Sequence, residues 1–173
     1  VAMTSASAAL FMALSVLGIQ PGDEVIVPNR TFIATAHAVL MTGAKVRLVD
    51  VRKGSTLVDE AQIEKNITRR TKAIIAVHLN GDSVDMRFIN RLAKRYRLKV
   101  IEDAAQAFYS KNDLGFLGTQ SEIGCFSLGI VKFITTGQGG FLAVREKGLY
   151  DKLVKFRSHG VVSTFAAPAY DRF

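Results

Sequence analysis

Short apolar runs alternate along the chain with longer amphipathic segments. The runs AIIAV and KVIE are almost continuously apolar, which is typical of strands that helices cover on both faces. Turn residues such as Pro21-Gly22-Asp23 separate the segments, Gly43 is placed to end a helix, and Asp85 is placed to cap one. The pattern predicts a three-layer αβα domain with a mostly parallel sheet.

The predicted elements form one uninterrupted series without a repeat or a linker. Helices are predicted at Ser5–Leu17, Thr31–Met41, Asp59–Ile67, Met86–Tyr96 and Lys147–Arg157. Strands are predicted at Glu24–Val27, Lys45–Val49, Lys72–Val77, Lys99–Glu102, Gly124–Leu128 and Gly140–Val144. The longest apolar stretch, Ala8–Ile19, is too short to span a bilayer and is predicted as a buried helix. We therefore expect a single domain over residues 1–173.

Composition narrows the class of protein. The chain has 173 residues, of which 49% are hydrophobic, and this excludes a disordered chain. Its single cysteine, Cys125, excludes a disulfide scaffold and a four-cysteine zinc site, and it fits a reducing, cytoplasmic location. No metal site or membrane anchor is expected. The formal charge of +8 favours an anionic partner, which could be nucleic acid, a membrane surface or a phosphorylated small molecule.

The two ends of the chain do not resemble the ends of a domain. Residue 1 is Val1, which leads into a helix-like pattern, and the chain ends at Phe173 without a stop signal. We expect a fragment, or the ordered part, of a longer protein that lacks an N-terminal segment and a C-terminal small domain.

Two charged residues lie where ligands bind in such folds, beyond the carboxyl ends of the strands. Asp103 follows the strand KVIE, where it could face a ligand, cap the next turn, or do both. Lys132 stands alone in the apolar segment SLGIVK. A lysine there either loses hydration, which favours its neutral nucleophilic form, or extends its amine out to water.

Two further segments could surround an anionic ligand. The small residues Ser5–Ala8 begin the first helix, where exposed N–H groups bind phosphate, although an ordinary serine cap has the same appearance. The segment TGQGG after Lys132 is neither a P-loop nor a dinucleotide fingerprint. It could be a flexible turn, or it could hold the lysine loop in a tight shape.

Taken together, these features suit pyridoxal 5'-phosphate. That cofactor needs a lysine amine for its aldehyde, a carboxylate beside its ring nitrogen, and N–H and hydroxyl groups around its phosphate. Lys132 and Asp103 supply the first two, Ser7 and Ser127 have hydroxyls for the phosphate, and Phe32 could stack on the ring.

The order of motifs resembles the DegT/DnrJ/EryC1/StrS sugar aminotransferases, which are fold-type I pyridoxal phosphate enzymes with an aspartate aminotransferase-like large domain. The matching stretches are SASAAL, GIQPGDEVIVPNRTFIATAHAVLMTGAKVRLVDV, TKAIIAVHLNG, KVIEDAAQA, GCFSLGIVKFITTGQGG and FRSHG. Each motif is weak alone, and their order along nearly the whole chain makes the combination specific.

The resemblance implies a role for each matching residue, and Lys132 and Asp103 are the implied catalytic residues. Lys132 would form the Schiff base and move the proton, and Asp103 would pair with the pyridine nitrogen. Phe32 would stack on the ring, and Gln106 would pack by the ring hydroxyl. The phosphate would be bound by Ala6, Ser7 and Ser127. The chain departs from the usual family pattern at Ala6, Phe133 and Gln138. The lysine is present, which implies an aminotransferase rather than a family dehydratase with histidine at that position.

The implied reaction moves an amino group from an amino acid, typically glutamate, to a keto group of a nucleotide-linked sugar. Family members form dimers whose active sites borrow residues from the partner, so a homodimer is implied. The sequence leaves open the sugar, the carbon that is aminated and the donor. Alternatives are a related pyridoxal phosphate enzyme that modifies sugars, or a regulatory or binding protein of the same fold without catalysis.

The remaining charged residues have simpler interpretations. The basic run after Asp85 comprises Arg87, Arg91, Lys94, Arg95, Arg97 and Lys99. Four of these residues share a helix face, which usually faces solvent, and no motif indicates specific nucleic-acid binding. His37 and His159 are interpreted as structural, and His78 lies at the ligand edge without an assigned role.

Overall fold

We describe the protein from a computed structural model, in which residues 1–160 are described. The predicted domain end at Phe173 lies outside these residues. The described part contains five α-helices, α1 (Ala6–Val16), α2 (Ile33–Met41), α3 (Glu60–Lys65), α4 (Met86–Tyr96) and α5 (Lys147–Arg157). Its strands are β1 (Ala2–Met3), β2 (Glu24–Pro28), β3 (Lys45–Val49), β4 (Thr71–Val77), β5 (Lys99–Asp103), β6 (Lys111–Asn112), β7 (Gly115–Phe116), β8 (Ile123–Ser127) and β9 (Gly140–Val144).

Seven strands form the central sheet in the order β1-β9-β8-β5-β4-β2-β3. The five neighbouring strands β8, β5, β4, β2 and β3 pair in parallel, whereas β9 pairs antiparallel with both β8 and β1. Parallel neighbours need long crossovers, which the helices provide. The predicted mostly parallel sheet is thus confirmed, with an antiparallel edge.

Each face of the sheet buries a separate apolar layer, because successive side chains of a strand point to opposite faces. On one face Leu10 and Leu14 of α1, together with residues of α2 and α5, cover strand residues such as Val25 and Ile75. On the other face α3 and α4 cover strand residues such as Ile26 and Ile74. The αβα sandwich expected from the pattern is therefore present.

The predicted elements agree closely with the observed ones, and two of the helices have identical bounds. The stretch Ala8–Ile19 contributes most of α1, whose buried residues include Leu10 and Leu14. The pattern missed β1 and the small β6–β7 hairpin, because strands of two residues leave no periodic signal. No helix among residues 1–160 is long and apolar enough to cross a membrane.

Candidate active site

A cavity of about 270 Å³ lies at the edge of the sheet where the parallel strands end. All seven residues that the sequence singled out for cofactor and catalysis line it: Ala6, Ser7, Phe32, Asp103, Gln106, Ser127 and Lys132. They come from four separate stretches of the chain: the start of α1, the residue before α2, the end of β5 with the turn after it, and the end of β8 with the loop after it. A larger, more open cavity of about 670 Å³ continues outward from Lys132 and Gln106.

Asp103 ends β5 and is almost entirely buried, with 5% of its surface exposed. Thr35 of α2 donates its hydroxyl to Asp103 Oδ2 at 2.8 Å, and the Ala105 N–H donates to Oδ1 at 3.1 Å. Burial raises the pKa of Asp103 above its ordinary value, although these hydrogen bonds and the nearby His78 and Lys132 oppose the shift. The prediction that Asp103 caps the turn after its strand is therefore confirmed, since Ala105 begins that turn.

Thr35 is a site residue that the sequence analysis missed. It is fully buried in α2, and its hydroxyl lies 2.8 Å from the hydroxyl of Thr31. The only available signal was its position one helical turn after Thr31 in the segment that also supplies Phe32. This pair fixes one oxygen of Asp103 and leaves the carboxylate facing the cavity.

The start of α1 forms another wall. Ser5 caps the helix by accepting a hydrogen bond from the Ala8 N–H at 3.1 Å. The N–H groups of a helix's first turn have no partner within the helix, so those of Ala6 and Ser7 are available to an anion. A Cβ on Gly140 of β9 would lie 2.5 Å from Ser5 C and 2.7 Å from Ala6 N, so glycine lets the helix start approach the sheet.

The loop that carries Lys132 is closed by backbone hydrogen bonds. Leu128, at the base of the loop, makes two of them. Its N–H donates to Gly139 O at 2.9 Å, and its carbonyl oxygen accepts from the Thr136 N–H at 3.0 Å. The Lys132 N–H donates to Gly129 O at 2.9 Å. The glycine-rich segment thus holds the loop in a tight shape. Lys132 is half-buried and lines both cavities, whereas its neighbours Val131 and Phe133 are exposed.

The remaining predicted residues stand around the cavity with defined contacts. Phe32 precedes α2 and leaves 67% of its surface exposed. The Asn80 N–H donates to Gln106 Oε1 at 2.9 Å, which fixes the amide and leaves its NH₂ group free to turn towards the site. Ser127 Oγ accepts a hydrogen bond from the Gly129 N–H at 3.3 Å.

A second buried acid adjoins this site on the opposite face of the sheet. Glu102 Oε2 lies 2.9 Å from His78 Nε2, and the N–H groups of Gly118 and Gln120 donate to the carboxylate at 2.7 Å each. Burial alone would raise the pKa of Glu102, but the hydrogen bonds and charge of its partners lower it below its ordinary value. His78, left without a role by the sequence, is therefore the partner of Glu102, and both side chains are fully buried.

The other charged candidates do not converge on the cavity. His37 and His159 are exposed, outside the cavity walls. In the basic run, Arg87 pairs with Asp113, Arg95 with Glu64 and Lys99 with Glu122, as expected for a solvated surface. Residues 1–160 contain no cluster of three or more potential metal ligands.

Comparison with known proteins identifies the family. The model of the DegT/DnrJ/EryC1/StrS aminotransferase family matches residues 1–170. The chain belongs to this family. Two curated members are similar to it over most of its length. A GDP-perosamine synthase of Escherichia coli O157:H7 is 43% identical over 159 residues, which is 92% of this chain and 44% of that protein. A UDP-N-acetyl-3-dehydro-alpha-D-glucosamine 3-aminotransferase of Acidithiobacillus ferrooxidans is 45% identical over 166 residues, 95% of this chain and 45% of that protein.

The fold of the family is found here as well. The crystal structure of DesV from S. venezuelae in complex with a ketimine intermediate superposes with a TM-score of 0.91 at 37% identity. The superposition covers 96% of this chain and 45% of DesV. The chain thus spans less than half the length of the relatives it matches.

The cofactor of this family is pyridoxal 5'-phosphate, and the described residues fit it. A buried carboxylate faces the cavity without a cationic side chain bonded to it, so a protonated ring nitrogen would supply the missing charge. The free N–H groups of α1 suit the phosphate, and the Lys132 amine lines the same space.

Proposed function

We propose that this chain is the cofactor-binding part of an aminotransferase that moves an amino group from an amino acid to a keto group of a nucleotide-linked sugar. One observation carries the proposal: a lysine, a buried carboxylate and a free helix start, distant in sequence, line one cavity at the carboxyl edge of the sheet. The names of the relatives, which are nucleotide-sugar enzymes, support this substrate class.

When bound, pyridoxal 5'-phosphate supplies an aldehyde for primary amines and a protonated ring that takes up an electron pair from the substrate. Lys132 would hold the cofactor through Nζ and, once displaced by the incoming amine, move a proton as general base and acid. Asp103 would keep the ring nitrogen protonated, since a carboxylate favours a nearby positive charge.

The other lining residues would hold the cofactor in place. Phe32 would cover one face of the ring, and Gln106 would donate its amide N–H towards the ring hydroxyl. The N–H groups of Ala6 and Ser7 and the hydroxyl of Ser127 would bind the phosphate. Closure of the lysine loop at Leu128 would hold Lys132 at the wall of the cavity in which the ring would bind.

We also propose a homodimer, with glutamate as amino donor and a cytoplasmic location. Apolar side chains are exposed beside the cavity at the start of α2 and on the lysine loop: Phe32, Ile33, Ile130, Val131 and Phe133. So much exposed apolar surface in one region is typical of a protein interface. The free, buried thiol of Cys125 is in keeping with a reducing compartment. Light scattering on the purified protein tests the dimer, and a mass of one protomer at micromolar concentration would contradict it.

The decisive experiment is to trap the cofactor. The purified protein is mixed with pyridoxal 5'-phosphate, its visible absorption is recorded, and it is reduced with borohydride and digested. We expect a bound-cofactor band and a cofactor-modified peptide that contains Lys132. Lys132→Ala should remove both, whereas Lys94→Ala, an exposed lysine on α4, should keep both. A label distributed over surface lysines, or the absence of a bound band, would contradict the proposal. Glutamate and keto-sugar nucleotides are then tested with the loaded protein.

A further inference from the structure

The outer cavity carries a strained aromatic residue to which the proposed chemistry gives no role. Tyr109 has a φ of +65°, in the left-handed region. It is the third residue of the turn Ala107–Ser110, which is closed by the Ser110 N–H donating to Ala107 O at 3.1 Å. Turns with positive φ at this position favour glycine or asparagine, and a bulky side chain there is a genuine outlier.

Packing within the described residues does not compensate for this strain. Tyr109 leaves 73% of its surface exposed. Its ring contacts that of Phe116, with the centroids 5.3 Å apart and the planes tilted by 43°, and Phe116 is itself 46% exposed. Strained backbone persists mainly at functional sites, and a pair of exposed aromatic rings offers flat apolar faces to a ligand.

The location of the pair indicates which part of a ligand it would meet. Tyr109 lines the outer cavity of about 670 Å³ together with Lys132 and Gln106. The reacting carbon of a substrate must reach Lys132 at the inner end, so the rest of the molecule extends outward past Tyr109.

A positive charge stands beside the rings. Lys111 of β6 is the direct cross-strand partner of Phe116 in β7, and such partners project from the same face of the hairpin. Lys111 is exposed and has no ion-pair partner among residues 1–160. A planar group and an anion can therefore bind side by side here.

We propose that Tyr109, Phe116 and Lys111 form the subsite for the nucleotide portion of the substrate. The two rings stack on the nucleobase, and the Lys111 ammonium pairs with the diphosphate. This inference rests on the proposed function, because it assumes that a nucleotide-linked sugar reaches Lys132.

Nucleotide binding tests the subsite without any turnover. UDP and GDP are titrated into the purified protein by calorimetry, and saturation-transfer NMR identifies the nucleotide protons that contact it. Tyr109→Asn removes the ring while keeping a residue that tolerates positive φ. We expect it to weaken binding of the nucleotide probes about tenfold, as for the loss of one base-stacking contact, and to leave the melting temperature unchanged or higher. Tyr109→Phe should bind as the wild type does.

The charge has its own variant and control. Lys111→Gln should weaken binding severalfold and reduce its dependence on salt, whereas Lys152→Gln, an exposed lysine on α5, should change neither. Lower thermal stability in Tyr109→Asn with unchanged nucleotide affinity would overturn the proposal, since Tyr109 would then be structural. A change of oligomeric mass with unchanged affinity would also overturn it, since the rings would then contact another protomer.

The outcome separates the subsite from the proposed function. If the cofactor is trapped on Lys132 but the Tyr109 substitution does not change nucleotide affinity, only the subsite is refuted. Nucleotide binding that depends on Tyr109, in a protein that never takes up the cofactor, keeps the nucleotide subsite and refutes the aminotransferase.

Discussion

Glu102 and Asp103 are neighbouring buried carboxylates of β5, and they meet opposite surroundings. The Glu102 carboxylate meets His78 and the backbone N–H groups of Gly118 and Gln120, which stabilise its charge and lower its pKa. Asp103 faces α2, where it receives a threonine hydroxyl and one N–H, and burial raises its pKa. The same strand thus carries one carboxylate that three hydrogen-bond partners surround and one that has two partners and faces the cavity.

This difference suits Glu102 to a structural role and Asp103 to a role in ligand binding. A carboxylate with a complete set of partners stabilises the fold and has nothing left for a ligand. A buried carboxylate without a cation costs stability and is compensated only when a cation arrives. We therefore expect changes on the Asp103 side to affect turnover and changes on the Glu102 side to affect stability.

The largest effect is expected at Lys132, on the Asp103 side of the sheet. Under the proposed function, Lys132→Ala would remove both the point of attachment for the cofactor and the group that moves the proton, so kcat should fall by about 10⁴-fold. Steady-state kinetics with a keto-sugar nucleotide measures this loss. The circular dichroism spectrum should not change, because Lys132 is half-buried in a loop. Normal turnover in this variant would remove Lys132 from the mechanism.

Asp103→Asn should have the next largest effect. The amide keeps the shape of the side chain and can still accept from the Ala105 N–H, but it cannot stabilise a protonated ring nitrogen. We expect kcat to fall by roughly 10²–10³-fold, as for the loss of one preorganised electrostatic contact. Because a buried charge is removed, the cofactor-free variant should melt at the same temperature as the wild type or higher. An unchanged rate would exclude Asp103 from the electronic role.

Glu102→Gln should have the opposite profile. The variant loses the charge that His78, Gly118 and Gln120 surround, and its amide NH₂ group faces N–H donors. We expect the free energy of unfolding to fall by about 2–3 kcal/mol, as when buried hydrogen-bond donors lose a charged acceptor, while kcat of the folded fraction changes little. Urea unfolding measures the first quantity. A variant that kept its stability and lost its turnover would reverse the assignment of the two carboxylates.

The sequence alone predicted much of this site. The order of the main strands and helices follows from hydrophobic periodicity, and the position of Asp103 directly after a strand was enough to place it at the ligand edge. It could not reveal that Thr35 reaches Asp103, 68 positions away, or that the side chains of His78 and Glu102 meet. Nor could it reveal the positive φ of Tyr109, since Tyr is a residue that turn statistics would not place there. Such contacts depend on how separate segments pack, and no local pattern encodes them.

The smallest effect is a difference in pH dependence between the two carboxylates. The raised pKa of Asp103 means that the folded state holds this proton more tightly than the unfolded chain, and the resulting stability is lost as the pH rises through the folded pKa. The lowered pKa of Glu102 gives stability that is complete above the unfolded value of about 4.3 and is lost as the pH falls through the folded pKa.

Unfolding of the cofactor-free wild type, Asp103→Asn and Glu102→Gln should therefore be measured at pH values of about 7 and about 4, spanning the ordinary carboxyl range. On acidification, any advantage of Asp103→Asn over the wild type should shrink, and so should the deficit of Glu102→Gln. At neutral pH, Glu102→Gln should be less stable than the wild type and Asp103→Asn equally or more stable, and both differences should shrink on acidification. Parallel curves for both variants would mean that the two carboxylates share one environment, and the division of β5 into a structural and a chemical side would then be wrong.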